Sequence, residues 1–196
     1  MIYNEDATND KKLDLSATSI TLVDEEVSEK RMTGEVIDTL IYSDGRREQI
    51  RPMDFNLVVD SCSKLIACLI KGQSGYSGAT YWAVGSGSGS WNDASPPSPS
   101  SADAQLLVET MRKQIQPANI VFLDASNVVT ATPTNKIQIT VTFLEAEANG
   151  ALREFAIFGG NATATLNSGI IINRKIHPII WKTSGMKLER MLRFTF

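Results

Sequence analysis

Histidine is almost missing: one residue in 196, His177, immediately ahead of Pro178. A zinc centre or a Ser-His-Asp triad is built around such side chains. With no second histidine and no nearby Cys or Asp set, His177 reads as a structural or surface residue. Cysteine is as scarce, with Cys62 and Cys68 as the only two. Six residues apart do not return to one helical face, and nothing beside them completes a metal set. They read as buried free thiols, which suits synthesis in a reducing compartment. No metal and no other cofactor is expected. The chain also lacks the run of about 18 apolar residues that a spanning helix needs. Its opening, MIYNEDATNDKKLDL, is polar and acidic rather than basic and then apolar, so neither an anchor nor a signal peptide is expected and no membrane partner follows. Gly85, Gly87 and Gly89 follow a strand-like stretch, as a phosphate-cradling loop would. Lysine is missing there, and WNDASPPSPSS stands where a helix should begin, which argues against nucleotide binding.

What is present is the balance of an ordinary globular protein. With 42% hydrophobic and 21% charged residues, the chain can bury one core with at most a small appendage. The net charge of -3 conceals a polarity. Residues 1–53 carry twelve acids against seven bases, and residues 54–196 carry the remaining ten acids and twelve bases. From Asn173 onward Arg174, Lys175, Lys182, Lys187, Arg190 and Arg193 face one acid, Glu189. Complementary ends of this kind steer head-to-tail association between copies. The bases are spread over strand-like segments without a recognition helix or a stacking-aromatic motif, so no nucleic acid is expected.

Two regions are expected, residues 1–54 and residues 55–196. The first holds an arm over about residues 1–15, with many charges and few large apolar side chains. A β-hairpin follows in GEVIDTLIYSDGRREQI, where Asp44-Gly45 supplies the positive φ of a tight turn. Two strands alone are marginal in water, so this piece is expected to borrow either the main domain or a neighbour. In the second region FNLVVDSCSKLIACLIKG predicts a helix through Val58, Cys62, Leu65 and Leu69, ended at Gly72. GATYWAV predicts a short strand, and residues 85–101 a Gly/Ser/Pro-rich loop with Trp91 in its middle. That tryptophan is either an anchor for a partner or folded back on its own domain. A second helix is expected over about 101–114, capped by Ser100 or Ser101, with Leu106, Leu107, Met111 and Ile115 apolar. KIQITVTF, LREFAIF, GIIIN, PIIWK and KLERMLRFTF read as strands. The expected class is α+β and β-rich: an antiparallel sandwich or barrel-like sheet with two helices, an N-terminal arm and a hairpin.

Carboxylates are the remaining chemistry. Glycoside hydrolysis needs two acids facing a cleft, and Glu145, Glu147 and Glu154 are available. Glu145 and Glu147 lie at the end of a strand beside Asn149-Gly150, where a solvated turn would place them. Glu154 sits inside the hydrophobic run of LREFAIF and suits a general base, the anchor of an ion pair or a solvent-facing strand position.

One pattern remains. Ala83, Val84, Gly85 and Gly87 stand ahead of Leu107, Glu109 and Arg112, which stand ahead of Glu154, Ile157 and Phe158. This order, over residues 80–196, resembles small structural proteins and attachment domains of bacteriophage tails and baseplates and of related contractile injection machines. The resemblance implies a non-enzymatic virion component of a tail, baseplate or fibre attachment, assembled in the host cytoplasm. Its partners would be copies of itself and other virion structural proteins, with a host-surface glycan admitted as a ligand. It also implies that Glu154 is half of an ion pair docking helix to sheet, with Arg112, Arg153 or Arg190 as the other half. Trp91, Tyr42, Trp82 and Phe196 are the expected interface residues. The competing readings are a capsid decoration protein, a tail-associated glycan hydrolase using two of the glutamates, and a carbohydrate-binding β-domain.

Overall fold

The computed structural model describes residues 32–196, with 51–55 as backbone alone; the expected arm at residues 1–15 lies outside the described residues. Among the described residues ten strands form one antiparallel sheet, accompanied by a single α-helix: β1 (Thr33–Tyr42), β2 (Arg47–Val58), α1 (Ser61–Lys71), β3 (Ser77–Gly85), β4 (Glu109–Gln114), β5 (Ile120–Leu123), β6 (Val129–Thr130), β7 (Lys136–Phe143), β8 (Gly150–Gly160), β9 (Ile170–Lys182) and β10 (Met186–Thr195). The spatial order is β4-β3-β8-β9-β2-β1-β10-β7-β5-β6, and the sheet does not close.

The hairpin read from Ser43-Asp44-Gly45 is there, with Gly45 at φ 84°. It is not a satellite. β1 and β2 occupy the middle of the sheet, and β1 is paired over its whole length with β10, from Thr33 against Thr195 to Tyr42 against Met186. β2 is the joint of the structure, since it pairs with β1 over most of its course and with β9 at Leu57 and Val58. On either side of that joint the sheet turns the same apolar face inward. Trp82, Val84, Phe155 and Ile157 from one half and Val36, Ile139, Phe143, Leu188, Leu192 and Phe194 from the other share one core. Period-2 alternation in KIQITVTF and KLERMLRFT made these inward positions legible.

α1 begins at Ser61, because residues 55–58 continue β2 instead of starting the helix. Its end is as read: Gly72 adopts φ 68°, its N–H donates to Leu69 O, and Gln73 N–H donates to Cys68 O, a Schellman closure. The expected second helix is a correction, because residues 101–108 form turns and bends and Glu109–Gln114 is strand β4, paired with β3. Side chains distant in sequence capture the amides a helix would have used, so tertiary bonding overrides local propensity.

GIIIN and PIIWK join into the single strand β9. Between Leu152 and Glu154 of β8 the β9 partner jumps from Ile180 to Ile176, so β9 bulges around His177-Pro178. Proline has no N–H to give to the ladder and is tolerated at such a bulge. A β5–β6 hairpin, with Asn127 at φ 62°, is an element that the sequence reading had not assigned.

Candidate functional site

The half-sheet β4-β3-β8-β9 is covered on its outer face as well. Ala83, Ala156, Phe158 and Ile171 point away from the main core and pack with Val59 and Leu106 into a second cluster. Leu106 belongs to residues 100–108, which follow the Gly/Ser/Pro-rich loop and cross this face as a strap. Its fastenings succeed one another along the chain. Asp60 N–H donates to Ser101 O (2.9 Å), and Ser101 Oγ donates back to Asp60 Oδ2 (3.0 Å). Asp103 takes Arg174 Nη1 at 2.7 Å. Leu106 N–H donates to Asn167 Oδ1 at 3.1 Å. Leu107 and Val108 donate their N–H groups to Glu154 Oε2 (3.1 Å) and Oε1 (2.9 Å).

Glu154 is fully buried at the centre of this arrangement, and Arg174 Nη2 reaches its Oε2 at 2.5 Å. Glu154 is therefore half of a buried ion pair, but its partner is none of the three arginines expected. Arg174 lies opposite Ala156 on β9, one diagonal step from Glu154 on the same face. Arg112 instead binds Glu109 through Nε (2.6 Å) and Nη2 (2.8 Å), the two-point geometry that suits guanidinium and carboxylate. Arg153 reaches Asp93 on the Gly/Ser/Pro-rich loop at 3.1 Å. Arg190 binds Asp38, its cross-strand partner in the β1–β10 ladder, at 3.0 Å. Each pairing has its own origin: β8–β9 register brings Arg174 to Glu154, β1–β10 register brings Arg190 to Asp38, Arg153 meets the loop at Asp93, and Arg112 is taken by its near neighbour Glu109 on β4.

The Glu109–Arg112 pair ties in a second loop, residues 160–169. Arg112 Nη1 donates to Thr163 O (2.8 Å) and Ser168 O (3.1 Å), and Asn167 N–H donates to Glu109 Oε2 (2.6 Å). The Arg112 guanidinium also stands 4.7 Å from the Phe158 ring centre. Gly85 makes the close approach possible, since a Cβ there would meet Val108 O at 2.4 Å and Glu154 Oε1 at 2.9 Å. The three motifs singled out in the sequence thus converge: Gly85 faces the Glu154 carboxyl, Val108 is bonded to it, and Arg112 covers Phe158. What emerges outward is apolar. Leu107 (54% exposed), Val108 (45%) and Leu166 (47%) stand out from a backbone that buried charges hold in place.

The other nominated residues go to different places. Trp82 is wholly buried, 5.4 Å from Phe155 between ring centres, which removes it from the interface set; the inward alternation of β3 puts it in the core. Trp91 folds back over Gly87, whose φ of 57° and missing Cβ leave room for the indole. Tyr42 is half-buried, donates its hydroxyl to Glu48 at 2.7 Å and lies under Arg46. Phe196 remains 47% exposed.

Glu145 and Glu147 sit in the turn between β7 and β8. Its own backbone N–H, with Lys187, holds the Glu145 carboxyl below its ordinary range. For Glu147 burial pushes the pKa upward, but hydrogen bonds from Lys113 and from Leu144 N–H outweigh it and the net shift is down. A general acid needs the opposite shift. Buried Lys182 ties the same turn by donating to Leu144 O (2.7 Å) and Asn149 Oδ1 (3.0 Å). His177 is buried in the bulge, its ring 6.1 Å from Phe155. Arginine carries only donors, so the 2.9 Å contact from Arg190 Nη2 makes His177 Nε2 the acceptor and leaves Nδ1–H to donate to Pro178 O at 2.8 Å. Among the described residues no group of three His, Cys, Asp or Glu side chains is placed to hold a metal ion, and no helix is long and apolar enough to cross a membrane.

Comparison with protein-family models and with curated proteins finds no match for this chain.

Proposed function

We propose that this protein is a non-enzymatic structural component of a phage tail, baseplate or fibre attachment, working by association with copies of itself and with other virion proteins. One observation carries the reading: the buried Glu154 carboxylate uses both oxygens on Arg174, Leu107 N–H and Val108 N–H, and so presents Leu107 and Val108 outward on a fixed backbone. A catalytic carboxylate must meet substrate, whereas this one is covered by the strap it holds. Fixed aliphatic side chains on a rigid frame lower the ordering cost of an interface. Convergence of the three motifs on the same spot supports the phage-like reading, because residues far apart in sequence then serve one structural purpose. The sheet doubled over a shared core is read as an open, sandwich-like platform for that surface.

Light scattering on the full chain across a concentration series tests the proposal. The expected outcome is a discrete oligomer, with Leu107→Asp and Val108→Asp lowering the mass at a given concentration while leaving Tm unchanged. A monomer at every concentration, with no binding to virion fractions, refutes it.

A further inference from the structure

α1 carries more apolar surface than its own domain covers. Cys62 and Leu65 are buried against the sheet, but Ile66 (36% exposed), Leu69 (42%) and Ile70 (83%) form a contiguous row at i, i+3 and i+4 that faces outward. A single exposed aliphatic side chain is ordinary, whereas a row of three on one helix face is a contact surface. The charges within the helix are of one sign. The helix SCSKLIACLIK has no acid. Both its lysines, Lys64 and Lys71, are exposed; among the described residues neither is in an ion pair, and Lys71 meets only Gln73 Oε1 at 3.4 Å. α1 thus presents an apolar stripe flanked by two lysines that no acid pairs among the described residues.

The chemistry that fits this surface is aliphatic and acidic. The chain contains such a stretch at residues 13–29, LDLSATSITLVDEEVSE, with Leu13, Leu15, Ile20, Leu22, Val23 and Val27 set among Asp14, Asp24, Glu25, Glu26 and Glu29. It is the most acidic part of a protein whose bases lie mainly beyond it. We infer that α1 is the receptor for residues 13–29 of a second copy of this chain, with Ile66, Leu69 and Ile70 taking the aliphatic side chains and Lys64 and Lys71 taking the acids. This rests on the self-association proposed above and names the surfaces that carry it. Since donor and receptor are different parts of the molecule, the contact is head-to-tail and closes only if the rotation between copies allows a ring. Apolar contact supplies the affinity, while the opposite charges set orientation and make association sensitive to salt.

A charge exchange on the full chain tests it, with solution mass read by light scattering and thermal melting as the control for folding. Lys64→Glu with Lys71→Glu, and separately Asp24→Lys with Glu25→Lys and Glu26→Lys, are each expected to weaken association by about tenfold or more. Combining both sets in one chain is expected to restore it. Ile70→Asp is expected to weaken association with no rescue from the arm. Parent oligomers that ignore all of these changes overturn the inference while leaving self-assembly through the strap standing. Rescue of melting temperature with a chain that stays monomeric overturns it as well, because residues 13–29 would then cover α1 of their own molecule. A parent chain that is monomeric throughout, with no effect of exchange on any readout, refutes both this inference and the self-association it rests on.

Discussion

Glu154→Ala is the perturbation with the largest worked consequence. The substitution takes one partner from a fully buried pair and leaves Arg174 with Asp103 as its remaining carboxylate, 2.7 Å away. Removing one member of a buried ion pair costs about 3–5 kcal/mol. The Asp103 contact pulls the cost toward the lower end. Leu107 and Val108 push it back up, because each loses the acceptor of a part-buried N–H, worth about 1–3 kcal/mol where water does not replace it. Taking about 3–5 kcal/mol for the whole, a chain of this size should melt about 6–20 °C lower. Glu154→Gln keeps the shape and one acceptor oxygen and should lose about 1.5–3 kcal/mol, the value of hydrogen bonds to a charged group. Differential scanning calorimetry, with urea unfolding as a second measure, reads both. Proteolysis adds a local readout, since a strap released from Glu154 should be cut first between residues 100 and 108. If Glu154→Ala melts within about 2 °C of the parent, or a Glu154→Gln/Arg174→Gln cycle shows no coupling, the pair does not hold the strap and the reasoning fails.

Other expectations follow from the same geometry. Gly85→Ala should lower stability by about 1–3 kcal/mol, because its Cβ would meet the Val108 carbonyl at 2.4 Å; an unchanged melting curve would contradict this. Burial pushes the Cys62 thiol up to about 11, whereas Cys68 is only half-buried; a disulfide reagent at pH 8 should therefore modify one thiol of the native protein quickly and the other only on unfolding, and two equally fast thiols would disagree. Glu147 has a folded-state pKa lowered from 4.5, so its contribution to stability is present above about pH 4.5 and is lost as pH falls through the lowered value. Lys113→Met should accordingly destabilise at neutral pH and converge with the parent in acid melting curves; a pH-independent difference would count against the Lys113–Glu147 contact.

What was legible in the sequence was local. Asp44-Gly45 identified its hairpin, Gly72 the end of α1, and KIQITVTF its inward face, because a turn, a cap and a period-2 face are each decided within a few residues. The expected helix over 101–114 failed for the complementary reason. Leu106, Leu107, Met111 and Ile115 have helical spacing, but Glu154 and Asn167, some fifty residues later, take the amides. Glu154 stands out in the sequence as the residue that needs explaining, whereas Arg174 reads there only as one of the C-terminal bases and not as its partner. Its position opposite Ala156 depends on the bulge at His177-Pro178, which fixes the β8–β9 register. The proline was the available signal, as a residue that cannot serve within a continuous ladder. Trp82 and Trp91 show the same limit: which tryptophan faces out is decided by strand parity and by the space over Gly87.

The pairing of β1 with β10 also bears on how the protein is made. Thr33 lies against Thr195 and Tyr42 against Met186, so the strand in the middle of the sheet has no second neighbour until residues 186–195 have left the ribosome. Up to that moment the β1–β2 hairpin holds Val36 and Leu40 without the Leu188, Leu192 and Phe194 that enclose them. Contacts of such long sequence separation form slowly and leave a nascent chain open to mispairing. Synthesis should therefore tolerate an insertion after the β5–β6 hairpin at the sheet's free end far better than a stop codon within residues 186–195, and crowded copies on one polysome are where a chaperone would be needed.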